Sequence, residues 1–241
     1  FNRIYVETDS VRNVIIPKFV KMSNATQFTF AVDFGTTNTH IEYATDGSNI
    51  SHPFDIARAE QQMHRMHKNY GGHSDIQYAF EHAFIPDTIA DGDDYSFPIR
   101  TAFAEWVNID YKRQTNSLAD GNIPFRYEKA AIPPYNKVKT DIKWTNKDTD
   151  RVRLYLDNIF FLMRNKVLMN GGNLASTRII WFYPVSMTKA RCDTYSTIWA
   201  DLYTKYFGGD VSANLIKMSE SVAPYHYYKS QRGLKSNAVT I

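Results

Sequence analysis

The chain has 241 residues, 43% of them hydrophobic and 22% charged, with a net charge of +3. That balance belongs to one large or two small folded domains and excludes a disordered chain. The mild charge, with no dense Lys/Arg block, argues against a nucleic-acid partner. Cys192 is the single cysteine, which excludes an internal disulfide and a cysteine metal framework. A single cysteine fits a reducing, cytoplasmic setting, which is the expectation, and is also compatible with export; no apolar run approaches the ~20 residues of a membrane span, so no membrane partner is expected. The chain opens at Phe1 without methionine or a signal pattern, and is expected to be part of a longer protein.

Residues 1–27 read as an upstream linker or edge strand, β-prone over 3–8 and 11–20, with Pro17 breaking the second run. Residues 28–34 are apolar or β-prone at nearly every position and predict a buried strand, and 39–45 predict a second. Gly35, Thr36, Thr37 and Asn38 between them read as a hairpin turn. Thr45-Asp46-Gly47-Ser48 forms the next turn, before a third strand ending near 54. The pattern is lost over 55–147, which reads as an inserted α+β subdomain. Within it, 61–70 is polar and helix-compatible, 91–94 is a loop, and 97–103 and 125–131 are strand-like.

Regularity returns over 148–241. Asp148-Thr149-Asp150 can cap a helix whose Val152, Leu156, Ile159, Met163 and Val167 share a face, with Gly171-Gly172 ending it. Residues 178–183 form an apolar strand of the type buried in parallel sheets, stopped by Pro184. Ser186 can cap the next helix, in which Cys192, Tyr195, Trp199, Leu202 and Tyr206 line one side and which Gly208-Gly209 closes. A short strand over 215–218, a helix over 219–229 and a last strand over 238–241 follow. Strands alternating with helices predict an α/β fold with a parallel arrangement covered by helices.

The chemistry gathers at the first hairpin. Backbone N–H groups and hydroxyls of a Gly-Thr-Thr turn form an anion-binding hollow. Asp33, at the exit of the preceding strand, would lie beside it, where a carboxylate can hold Mg²⁺ next to phosphates. Glu220, following two strand–helix units, is the second candidate; at a helix N-terminus the dipole alone would favour an acid there.

Val32-Asp33-Phe34-Gly35-Thr36-Thr37-Asn38-Thr39 resembles the first phosphate loop of the actin, sugar-kinase and heat-shock-chaperone ATPase superfamily, in the form seen in DnaK-type chaperones and MreB-type bacterial actins. Ser219-Glu220-Ser221-Val222-Ala223-Pro224 resembles their Glu-Pro-x-Ala-Ala-Ala pattern, with Ser221 in place of its proline. The resemblance implies the first lobe of an actin-like ATPase domain, with a ribonuclease-H-like mixed sheet over 28–54 and 148–241 and an inserted subdomain over 55–147. It implies ATP and Mg²⁺ as cofactors, bound between this lobe and a second lobe as partner, with hydrolysis coupled to conformational change, and it leaves room for protein partners. It further implies that Asp33 directs the metal, that Gly35, Thr36, Thr37 and Asn38 cradle phosphates, and that Glu220 positions the attacking water. Lys143 falls near where chaperones place a lysine facing the γ-phosphate, although the plainer expectation for it is a surface position.

Two other functions share the motif: a sugar or small-metabolite kinase, which needs a carboxylate base that no motif here identifies, and a non-catalytic scaffold. His64, His67 and His73 lack acidic or cysteine partners at matching spacing and read as a solvated helix. Tyr225, Tyr227 and Tyr228 read as a partly buried face, and Cys192 as inert core. Residues 237–241 resemble the strand that opens the second lobe. The chain by itself is therefore expected to lack ATPase activity and to bind ATP at best in the millimolar range, on the order of −4 kcal/mol.

Overall fold

The computed structural model describes residues 3–8, 11–16, 23–48, 50–63, 88–90, 95–104, 123–124 and 138–230. The expectations for 64–70, 91–94, 125–131 and 238–241, and for His64, His67 and His73, lie outside these residues, as do the side chains of Tyr227 and Tyr228.

Strands β1 (Ile4–Thr8) and β2 (Val11–Ile15) pair with each other as a separate antiparallel hairpin. The central sheet is mixed. β3 (Phe28–Phe34) and β4 (Asn38–Thr45) are antiparallel, in unbroken register from Phe28↔Thr45 to Phe34↔Thr39. The outer edge of β4 carries β5 (His52–Pro53) and, at its start, β6 (Ile99–Arg100). β6 lies inside the 55–147 segment in sequence, yet it extends this sheet. After helix α1 (Thr149–Met169), strand β7 (Arg178–Tyr183) runs parallel to β3 on the latter's other side. Helices α2 (Lys189–Tyr206) and α3 (Val211–Asn214) lead to β8 (Leu215–Ser219), parallel to β7, and α4 (Ala223–Ser230) follows. The spatial order is β6-β4-β3-β7-β8. The protein is thus a mixed α/β fold, and the strands expected from 28–54, 178–183 and 215–218 share one sheet.

Alternation in β3 explains which way it faces. Phe28, Phe30, Val32 and Phe34 are buried, and Asp33 projects from the opposite side. The buried set packs on α1 and α2: the Phe34 ring lies 5.6 Å from Tyr155 and 6.1 Å from Tyr195. Full burial of such side chains is worth ~1.5–3 kcal/mol each. The apolar face of α1 is as the spacing predicts, with Val152, Leu156, Ile159, Met163 and Val167 all at 0% exposure. Phe54, Ile56, Ile89, Tyr95 and Phe97 join the same core. That junction is reinforced by Lys166 of α1, which reaches Glu60 at 2.7 Å and Asp55 at 3.2 Å.

Local corrections have local causes. Gln62–Met63 is a strand rather than the start of a helix. Asp148 precedes α1 without bonding its free N–H groups; its carboxylate instead accepts from Thr145 and Arg151. Helix α2 is capped by Thr188, not Ser186, because residues 184–187 are taken up by a turn in which Met187 N–H donates to the Pro184 carbonyl at 3.0 Å. Burial in β7 alternates instead of being continuous: Ile179 and Trp181 are buried, whereas Ile180, Phe182 and Tyr183 are half-buried. Helix α4 starts at Ala223 rather than 219, since Val222 N–H closes a turn on the Ser219 carbonyl at 3.0 Å. Pro224, whose fixed φ suits a first helical turn, follows.

Candidate functional site

The C-terminal ends of β3, β7 and β8 open onto a cleft of about 680 Å³ lined by Asp33, Gly35, Thr36, Lys143, Trp144, Phe182, Pro184, Glu220, Ala223 and Pro224. Open α/β sheets collect ligands beyond the carboxyl ends of their strands, and the volume lies within the usual range for small-molecule sites.

One wall is the β3–β4 hairpin. A Cβ on Gly35 would come within 2.5 Å of the Asn38 carbonyl, so the turn closes this tightly only with glycine. Underneath, the Thr37 carbonyl accepts from Thr101 N–H at 2.9 Å. The Thr39 hydroxyl meets Thr101 and the Tyr155 phenol, each at 2.9 Å. Thr37 and Asn38 are exposed at the tip but fall outside the residues lining the cleft, so Gly35 and Thr36 are the loop positions that face it.

The opposite wall comes from the turn containing Lys143 and Trp144. Lys143 is not a surface lysine. It is 3% exposed, and its ammonium reaches the Glu220 carboxylate at 3.3 Å and lies 5.8 Å from the centre of the Phe34 ring. Trp144 donates its indole N–H to the Thr36 hydroxyl at 2.7 Å. Glu220 does not open a helix; it sits in the turn after β8, where its own N–H donates to the Tyr183 carbonyl at 2.9 Å. The parallel register Tyr183↔Ser219 therefore fixes its height at the cleft.

Asp33 keeps contact with solvent, yet its surroundings raise its carboxyl pKa above the ordinary value. Partial burial is the main cause and the nearby Glu220 carboxylate adds to it, whereas Lys143 and His40 pull the other way. Asp33, Lys143 and Glu220 thus form an electrostatically coupled group. Two carboxylates facing one ammonium can accept a further cation, while the ammonium and the Thr36 hydroxyl, which accepts from Trp144 and keeps its own proton to donate, suit an anion. Among the described residues no cluster of three or more His, Cys, Asp or Glu could hold a metal. A cation here would draw at most on the two carboxylates, with water and ligand oxygens completing its shell. That donor set suits Mg²⁺, which commonly keeps several waters beside one or two carboxylates.

Sequence reasoning gave Trp144, Phe182 and Arg191 no place in the site, and read Pro184 only as the stop of a strand and Tyr195 only as part of an apolar helix face. Phe182 and Pro184 could have been found from their place at the end of an apolar strand. Arg191 and Tyr195 are four apart on one helix and so share a face.

No family model matches the chain, and no curated protein matches it. Among solved structures it is similar to a non-polymerising MamK mutant bound to AMPPNP, with 8% identity and a TM-score of 0.38, over 83% of this chain and 42% of that one. The chain thus spans less than half of that neighbour's length. A likeness this loose in sequence and superposition does not by itself assign the chain a fold family or a ligand. Among the described residues, no helix is long and apolar enough to cross a membrane.

Proposed function

We propose that this chain supplies the phosphate- and metal-facing wall of a nucleotide site in an actin-like, chaperone-like ATPase, its sheet being the ribonuclease-H-like core of one lobe. The observation that carries this reading is the convergence of Asp33, Lys143 and Glu220 on the Gly35-Thr36 turn, from segments far apart in sequence. A sequence motif for a phosphate loop is common by chance; a motif whose turn faces a buried lysine and two carboxylates is less so.

In this reading Gly35 and Thr36, flanked by Thr37 and Asn38, cradle phosphate oxygens through N–H and hydroxyl groups. Lys143 meets the terminal phosphate as a point charge. Asp33 and Glu220 would hold Mg²⁺, which would neutralise phosphate charge. Glu220 would also orient the attacking water in the whole protein, where catalysis depends on positioning and electrostatics. The base and the remaining phosphate contacts would come from a second lobe, so this chain binds Mg-ATP weakly and does not turn it over.

Calorimetric titration with Mg-ATP tests the reading. The expected result is a millimolar-range dissociation constant, about −4 kcal/mol, that weakens beyond detection in Lys143→Met and Asp33→Asn. Affinity unchanged in both variants would contradict it.

A further inference from the structure

Lys143 and Trp144 belong to no strand or helix, yet they face the cleft from a defined position. What holds them is on α2. Arg191 is 8% exposed, and its guanidinium donates from Nε to the Lys143 carbonyl at 2.7 Å, again from Nη2 to the same carbonyl, from Nη2 to the Thr145 carbonyl at 3.0 Å, and from Nη1 to Asn146 Oδ1 at 2.8 Å. The Tyr195 phenol adds a third donor to the Lys143 carbonyl at 2.7 Å. Burial pushes that phenol's pKa up to about 12, so it remains a donor. Among the described residues, no carboxylate forms an ion pair with Arg191; its fork is spent on the main chain and amide of residues 143–146.

We propose that Arg191 is a positioning residue for the cleft. It clamps the Lys143–Thr145 turn from behind, so that the ammonium of Lys143 and the indole of Trp144 face the Gly35-Thr36 turn before any ligand arrives. Planar donors in a fixed geometry lose little freedom in making several bonds at once, which suits arginine and not lysine to this task. The clamp also sets the Thr36 hydroxyl. Because Thr36 accepts from Trp144, its own proton is left for an anion in the cleft. The ligand part of this inference rests on the nucleotide reading above; the positional part does not.

The test therefore has two arms, both on the full 241-residue chain. The first needs no ligand. Acrylamide quenching attributable to Trp144, isolated by difference from the same proteins carrying Trp144→Phe, is measured in wild type, Arg191→Met and Arg191→Lys. Both arginine variants should leave Trp144 more accessible, and the loss should be reversed in Arg191→Ala by dilute guanidinium ion, which refills the site. Lys205→Met is the control for lost stability on the same helix, since Lys205 pairs with Asp157 at 2.6 Å away from the cleft; it should leave Trp144 as in wild type. Trp144 is 38% exposed in wild type, and quenching that rises in neither arginine variant overturns the proposal. If neither arginine variant folds, Arg191→Gln, which keeps a planar amide donor but deletes the rest of the fork, takes their place: greater access to Trp144 supports the clamp, and unchanged access overturns it. The second arm titrates Mg-ATP. The arginine variants should show no saturation over the Mg-ATP range that saturates wild type. Wild-type failure to bind Mg-ATP refutes the nucleotide reading, and the first arm alone then decides the role of Arg191. Wild-type binding that both variants retain in full overturns the clamp's part in recognition.

Discussion

The two walls of the cleft are made in different ways. The β3–β4 wall is a backbone ladder: every residue from Phe28 to Phe34 has a cross-strand partner, and alternate side chains are locked in the core. The Lys143–Trp144 wall has no ladder. It is held by hydrogen bonds from α2 side chains to main-chain carbonyls and by the buried Ile142 beside it. The first wall therefore shares the global stability of the core, whereas the second can be loosened without unfolding the sheet. A site assembled this way keeps its loop rigid and lets its charged arm be tuned.

The largest effect that sharpens this contrast is expected on the ladder side. Phe30→Ala, at a fully buried position, should cost about 3–5 kcal/mol and lower the denaturation midpoint of the whole chain. A drop confined to residues near the cleft would break the distinction between the walls. On the other side, Lys143→Met keeps the side chain's bulk but deletes its bond to Glu220. A smaller loss, about 1.5–3 kcal/mol for a hydrogen bond involving a charged group, should appear in chemical denaturation.

The smallest effect is a gain. The carboxyl pKa of Asp33 is raised in the folded protein, so its ionisation weakens folding. The stability it contributes is full at low pH and is lost as pH rises through the folded value. Asp33→Asn should therefore melt slightly higher than wild type at neutral pH, and the two curves should converge below pH 3.8, the ordinary value of the group. An Asn variant that is less stable at neutral pH would show that Lys143 outweighs burial at this carboxylate.

The contrast also explains what the sequence made legible. Period-two and helical spacings revealed β3, β4, α1 and α2, because burial against one core imposes those periods. The Gly-Thr-Thr turn announced itself for the same reason: a tight approach between Gly35 and Asn38 leaves few residue choices. The second wall left no comparable trace. Lys143 is brought in by contacts with Arg191 and Tyr195, 48 and 52 residues away, and no local period encodes such a distance. Ser186 reads as the cap of α2, until the Pro184–Met187 turn occupies it and leaves that place to Thr188. Likewise, the acidic residue at 220 could be read as opening a helix until the turn at 219–222 placed it outside one.

The central claim is that the cleft at the ends of β3, β7 and β8 receives the phosphates of a magnesium-bound nucleotide. Residue-resolved amide NMR during a Mg-ATP titration tests it most directly. The account predicts saturable shifts concentrated at Gly35, Thr36, Lys143, Trp144 and Glu220, absent in Asp33→Asn. Shifts that instead gather at the groove between α1 and α2, around Asp150, Arg153 and Asp201, or no saturable shifts at all, would contradict it.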